Sequence, residues 1–278
     1  MIRQTVFSLV SLGFATLPAL AQDESRRASH CIALVENVPG LEVIWRAGWE
    51  DSVRKDAVRI TYVDHSVYVL QTEGGMAVAT DYNGYLGPED FVPDVVTMNH
   101  AHSSHWTASP DPRVPHVLRG WGDEDGPARH HLDLGEMLVR NVTTDIRQGF
   151  GGTEIDGNSI FIFEVAGLCI GHLGHLHHEP SAEEYAAIGR LDILMAPVDG
   201  GMTVDLATMQ RIVSRLRSSI VLPMHWFSGY SLENFLAGMS GEFDIDRRQE
   251  TSLTVTLRDL PSRPTIVVLE PLVFSGFD

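Results

Sequence analysis

From residue 41 onward the first part of the chain is a series of short apolar runs. Leu41 to Trp45, Val58 to Val63, Ser66 to Gln71 and Met76 to Ala79 are rich in β-branched residues and parted by turn signals such as Glu73-Gly74-Gly75. That pattern predicts an antiparallel meander. Val95-Val96-Thr97-Met98 reads as a further strand, apolar enough to be buried. Ser109 to Ala128 is rich in Pro, Gly and Asp, and is expected to run as a long surface excursion.

Helical periods then join the strands. Ser159 to Val165 and Leu168 to His172 predict a hairpin through Ala166-Gly167, and Ser181-Ala182-Glu183-Glu184 after Pro180 is a capping box opening a helix to about Arg190. Asp192 to Ala196 reads as a strand. Val204 to Leu216 reads as a helix with Met209, Ile212, Val213 and Leu216 on one face. Ser219 to Pro223 is a strand, Leu232 to Met239 a helix, and Ser252 to Leu257 and Ile266 to Leu269 are two closing strands. A strand-rich half followed by a strand-and-helix half is satisfied by two sheets sandwiched between helices, an α/β (α+β) architecture.

The first residues stand apart from this pattern. Met1-Ile2-Arg3 gives a positive start, Val6 to Leu20 is mostly apolar, and Ala19-Leu20-Ala21 has a small-x-small form before Gln22. Residues 1–21 are therefore expected to be a signal peptide cleaved after Ala21, its apolar run too short and too interrupted by Gly13 and Pro18 to leave a stable membrane span. Residues 22–40 are expected to be a linker with a short helix, Ala28 to Val38, ending at Pro39-Gly40, and 41–278 one domain. The expected location is periplasmic or secreted. There, Cys31 and Cys169 either pair as a disulfide or remain buried thiols, and the sequence leaves both open.

Composition adds two constraints. At 278 residues, 44% of them hydrophobic, the chain has enough apolar material for a large core. A net charge of -17 repels nucleic acid and anionic membranes, which leaves a small molecule as the expected partner.

The candidate chemistry lies in the histidines. Asn99-His100-Ala101-His102-Ser103-Ser104-His105-Trp106 follows directly on the Val95 strand, and His172-Leu173-Gly174-His175-Leu176-His177-His178 follows the Leu168 strand. Seven of the thirteen histidines fall in these two stretches, and His225 in Pro223-Met224-His225-Trp226 ends a third strand. Three strand ends presenting histidine imply one rim, and neutral imidazole is the commonest protein ligand for zinc. His30, His116, His130 and His131 are expected to be structural, His177 and His178 to flank the site, and His172 to face the core.

In motif order the chain resembles the metallo-β-lactamase superfamily. Ile60-Thr61-Tyr62-Val63-Asp64-His65-Ser66, Thr80-Asp81, the His100 loop, His172-Leu173-Gly174-His175 and Pro223-Met224-His225 carry the resemblance from about Leu41 to Glu270. It is closest to the branch of ascorbate-lactonase-like hydrolases. The resemblance implies a four-layer αβ/βα sandwich with metal at the shared edge of its two sheets. It also implies that His100, His102, His105, His175 and His225 are metal ligands, with Asp81, His65, Ser104 and His172 behind them. Two departures alter the site: Ser104 stands where the family loop has an aspartate, and His175 stands where a carboxylate bridges two metals. A histidine that the family places before the Ser159 strand is also missing, with Asp145 the nearest oxygen substitute.

Those losses remove negative charge, so one zinc ion is expected rather than two, seated on His100, His102 and His175, with His105 and His225 either completing the set or holding a weaker second ion. Three imidazoles and an open position lower the pKa of bound water to about 7. The resulting expectation is an exported metal-dependent hydrolase of a small-molecule ester, lactone or phosphodiester, using metal-bound hydroxide, with His105 or Asp145 handling protons. The alternative is a degenerate family member that binds metal or a ligand without turnover.

Overall fold

The computed structural model describes residues 27, 29–32, 48–227 and 229–273. The expected signal peptide and the expected strand at Leu41 to Trp45 lie outside these residues. So does most of the expected helix at Ala28 to Val38, and the described part, 29–32, is not helical. No helix among the described residues is long and apolar enough to cross a membrane.

The expected meander forms as β1 (Ala57–Asp64), β2 (Val67–Thr72) and β3 (Ala77–Ala79), antiparallel in turn. β4 (Val95–Met98) then adds parallel to β3. The stretch expected to be all surface excursion instead contains a strand, β5 (His116–Arg119), parallel to β4. Strand β13 (Ser252–Thr256) returns beside β1, giving a six-stranded sheet in the order β13-β1-β2-β3-β4-β5.

The second sheet opens with β6 (His131–Asp133), β7 (Met137–Arg147), β8 (Thr153–Val165) and β9 (Leu168–His172), an antiparallel run. The β8–β9 hairpin turns at Ala166 and Gly167, both with positive φ, as a two-residue turn matched to strand twist requires. β10 (Ile193–Pro197) and β11 (Ile220–Met224) continue it in parallel, followed by β14 (Thr265–Val268) and β12 (Asp244–Arg247) at the edge. The eight strands run β12-β14-β11-β10-β9-β8-β7-β6.

Helices α1 (Ala182–Ile188), α2 (Leu206–Leu216) and α3 (Gly229–Met239) connect the parallel strands. The capping box forms as expected: Ser181 Oγ accepts from Glu184 N–H, and the Glu184 carboxylate accepts from Ser181 N–H. On α2, Met209, Ile212 and Val213 pack with Phe235 of α3 over Ile160, Leu194 and Val221 of the second sheet. Between the sheets, Ile60, Tyr68 and Leu70 meet Phe161, Phe163 and Leu222. The outer face of the first sheet, Val67, Val69 and Val96, is covered among the described residues by loop side chains including Tyr82, Leu86 and Trp106.

The two cysteines pair. The Cys31–Cys169 disulfide, with Cα atoms 5.7 Å apart, ties the segment 29–32 to β9 across 138 residues of chain. Closing so long a loop in the unfolded chain stabilises the fold by up to about 5 kcal/mol. Cys31→Ser is expected to lower the unfolding free energy by about 2–5 kcal/mol in chemical denaturation, an effect that reductant reproduces in the parent chain.

Candidate metal centre

Strands β4, β9, β10 and β11 run parallel within their sheets, and their carboxyl ends carry His100, His175, Asp199 and His225. In open sheets of this kind ligands bind outside the carboxyl ends of the strands. The β1–β2 turn adds His65, and the segment after β3 adds Asp81. His65, Asp81 and His225 are non-glycine residues with positive φ, at 51°, 51° and 57°. Backbone strain of this kind gathers at functional sites, where surrounding structure enforces it.

The expected ligands come together. Ring centroids lie 5.5 Å apart for His100–His175, 6.0 Å for His102–His105, 4.5 Å for His105–His175 and 5.2 Å for His105–His225. Three of these rings are aimed from behind. His105 Nδ1 donates to Asp81 Oδ2 at 2.5 Å, His225 Nδ1 to Asp199 Oδ2 at 2.9 Å, and His100 Nδ1 to the Gly157 carbonyl at 2.7 Å. Because a carboxylate or carbonyl only accepts, these contacts place the proton on Nδ1 and free the Nε2 lone pair. His105 Nε2 is buried with no partner, as are His65 Nε2 and His175 Nδ1. Such orphaned acceptors inside a fold imply a missing partner, and a divalent ion fits them.

His172 behaves differently, as expected. Its Nε2 donates to the Ser66 carbonyl at 2.8 Å, and its Nδ1 accepts from Asn99 and Gly174 at 3.2 and 3.1 Å. Neither nitrogen is left for an ion. Ser104 Oγ lies 2.9 Å from His102 Nδ1, so the residue at the loop aspartate's place orients a ring. Asp145 Oδ1 accepts from Asp156 N–H at 2.9 Å across the irregularity in register between β7 and β8. His105, with Nδ1 committed to Asp81, has a single nitrogen for which ligation and proton transfer compete.

The set expected to seat the ion is not the tightest one. Rings of His100, His102 and His175 stand 5.5–6.4 Å apart with planes within 6° of parallel. Rings of His65, His105 and His225 stand only 4.2–5.3 Å apart by centroid, with ring nitrogens of the three within 4.8 Å of one another. Asp199 is a site residue that the sequence reading missed. Its Oδ1 accepts from the N–H groups of Gly201, Met202 and Thr203. The signal was Asp199-Gly200-Gly201 directly after a buried strand, at the same edge as the histidines.

Electrostatics favour a cation. Burial alone would raise the Asp81 carboxyl, but the adjacent His105 ring and the hydrogen bonds from His105 and Ser66 outweigh it and hold Asp81 well below the usual range. For Asp199, burial is likewise outweighed by hydrogen bonds from His225, Thr203 and Gly201. Burial, with the neighbouring rings adding to it, pushes His65 down to about 3 and His175 to about 2. Both therefore present lone pairs at neutral pH. His177, whose ring lies 4.7 Å from that of His175, is pushed to about 4 by burial and by Arg147.

Two asparagines lock the rim. Asn99 Nδ2 donates to the Ser159 carbonyl at 2.8 Å, and Asn158 Oδ1 accepts from His175 N–H at 2.8 Å. Gly174 sits between them with φ +63°, and a Cβ there would stand 2.5 Å from both Asn158 Oδ1 and Asn99 Nδ2. Gly174→Ala is expected to lower stability by about 1–3 kcal/mol through overpacking and left-handed strain, measured by thermal unfolding of the metal-free protein.

Residues 59–225 match the model of the β-lactamase superfamily domain, and the chain belongs to that family. A UPF0173 protein of Pyrococcus abyssi is 23% identical over 198 residues, covering 64% of this chain and 89% of the relative. A UPF0173 metal-dependent hydrolase of Thermoplasma acidophilum is 25% identical over 162 residues, covering 50% and 68%. Among solved structures, a protein of Thermotoga maritima assigned to the zinc-dependent hydrolases of the metallo-β-lactamase superfamily shares the fold. Its TM-score is 0.57 at 23% identity, covering 77% of this chain and 99% of that one.

Proposed function

We propose that the chain is a metal-dependent hydrolase in the ascorbate-lactonase-like branch of its superfamily, using one zinc ion to cleave an ester, lactone or phosphodiester of a small molecule. The observation that carries this reading is the pair of buried carboxylate–imidazole contacts, Asp81–His105 and Asp199–His225, which turn Nε2 lone pairs toward a shared space. Neutral imidazoles are zinc's usual nitrogen ligands. A bound divalent ion supplies Lewis acidity at the oxygen under attack and lowers the pKa of a water.

The chain's own residues set the rest. Asp81 and Asp199 provide two negative charges directly behind the rings, enough to compensate one dication. Ser104 and His175 provide none, which supports a single ion. Phe227, its ring 5.1 Å from His65 and 4.8 Å from His225, is 43% exposed and offers an apolar contact beside the centre. The Cys31–Cys169 disulfide supports export to an oxidising compartment, and the net charge of -17 supports a small substrate over nucleic acid.

The test is elemental analysis of the purified protein, with turnover assayed on a generic lactone, an aryl ester and bis(4-nitrophenyl) phosphate. About one equivalent of metal and turnover abolished by chelator and restored by zinc are expected. Bound metal without turnover on any of the three classes would leave a binding protein and overturn the hydrolase reading.

A further inference from the structure

His65 is held more firmly than a turn residue needs to be. It follows β1 with φ 51°, and its carbonyl accepts two hydrogen bonds, from Tyr62 Oη and from the backbone N–H of His225, each at 2.8 Å. Asp64 Oδ1 accepts from His65 N–H at 2.8 Å. The second of those carbonyl contacts joins two histidines that both sit in the left-handed region, so the β1–β2 turn and the end of β11 fix each other's backbone. Neither residue is glycine, and L side chains enter that region at a cost that the surrounding structure must cover.

The side chain explains the constraint. The His65 ring lies 4.2 Å from His225 and 5.3 Å from His105 by centroid, and its Nε2 is buried with no hydrogen-bond partner. His105 and His225 have their Nδ1 atoms engaged by carboxylates. Ring nitrogens of the three lie within 4.8 Å of one another. Ligand nitrogens around tetrahedral zinc stand roughly 3.4 Å apart, from bond lengths of about 2.0–2.1 Å, so small ring rotations close the set.

We propose that His65 is itself a metal ligand, and that His65, His105 and His225 form an all-imidazole seat for the ion. This rests on the metal-dependent reading above and goes beyond it by placing in the ligand set a residue expected only to stand behind it. The neutral ring adds no charge. Compensation comes from Asp81 and Asp199, one contact behind His105 and His225, and this arrangement makes a loop carboxylate at position 104 dispensable.

Cobalt(II) provides the test, because its visible d–d absorption reports ligand number and geometry independently of turnover. Metal-free full-length protein, His65→Ala and His65→Asn are titrated with cobalt(II), with affinity measured by chelator competition. Asparagine tolerates the left-handed backbone better than alanine, so His65→Asn remains informative if His65→Ala fails to fold. Thermal unfolding of the metal-free forms checks the scaffold. The proposal expects affinity to fall on the order of 100-fold in both variants, with an altered d–d spectrum and partial recovery of that spectrum in His65→Ala on adding imidazole. Parental affinity and spectrum in His65→Asn would overturn the ligand assignment while leaving the metal-dependent reading intact. Failure of the parent chain to bind cobalt(II) or zinc would overturn both.

Discussion

Replacing His105 with alanine is expected to lower metal affinity on the order of 100- to 1000-fold and to remove chelator-sensitive turnover with it. Complete imidazole and thiolate sets bind zinc by about 10–16 kcal/mol, or roughly 2.5–4 kcal/mol for each of four ligands, which is on the order of that range. His105 is fully buried, its Nδ1 is fixed by Asp81, and its Nε2 has no partner within the protein. It is also the ring nearest the middle of the cluster, within 6.0 Å of His65, His102, His175 and His225. Asp81 keeps Ser66 Oγ and the Asn99 N–H as donors when the ring is removed, so the carboxylate is not stranded and the scaffold should survive. Competition titration of the metal-free protein measures the affinity, and circular dichroism confirms the fold. Unchanged affinity would remove His105 from the centre. His102→Ala should cost less, since His102 is exposed and its Nδ1 meets only the Ser104 hydroxyl.

Much of the fold is legible because its central strands are buried on both faces or alternate cleanly. β4 and β9 fall at the bounds that the apolar runs predict, and all three helices within the described residues are expected from the sequence, α1 from its capping box and α2 from its apolar face. The strands that the sequence pattern does not predict lie at sheet edges or have mixed burial. β12 reads Asp-Ile-Asp-Arg with hardly a buried position, and β5 is only half-buried at the end of its sheet. Such strands are specified by the neighbour they pair with, and their own sequence carries little hydrophobic signal. The second part of β7 and the first residues of β8 have mixed burial, which dilutes their alternation.

The site divides along similar lines. The histidine loops were legible because short spacing behind a buried strand is a local property. What spacing does not reveal is which nitrogen of each ring is free, since that depends on partners distant in sequence. Ser66 lies 106 residues from His172 and its carbonyl accepts from Nε2, whereas Asp81 lies 24 from His105 and accepts from Nδ1. His65 is expected only behind the ligands because its own turn says nothing of β11, to whose end its carbonyl is joined by the His225 N–H. Asp199 was missed for the same reason: its neighbours in sequence are loop residues, and its functional partner is 26 residues away.

Asp199→Asn is expected to lower metal affinity by about 10- to 100-fold, the usual consequence of disturbing the group behind a ligating imidazole. The native carboxylate accepts at both oxygens. Oδ1 takes the backbone N–H groups of Gly201, Met202 and Thr203, and Oδ2 takes Thr203 Oγ1 and His225 Nδ1. An asparagine that keeps its oxygen on the three backbone donors must turn its amide N–H₂ toward His225 Nδ1. That nitrogen must then give up its proton to accept, which moves the proton to Nε2 and blocks the lone pair facing the ion. Loop geometry and stability should change little. Asp199→Ala should instead lose both roles, stranding three backbone donors and costing about 2–4 kcal/mol of stability as well as affinity. A double-mutant cycle separates the explanations: in a His225→Ala background, Asp199→Asn should have no further effect on affinity, because the ring it orients is gone. Equal effects in both backgrounds would assign Asp199 to the loop alone.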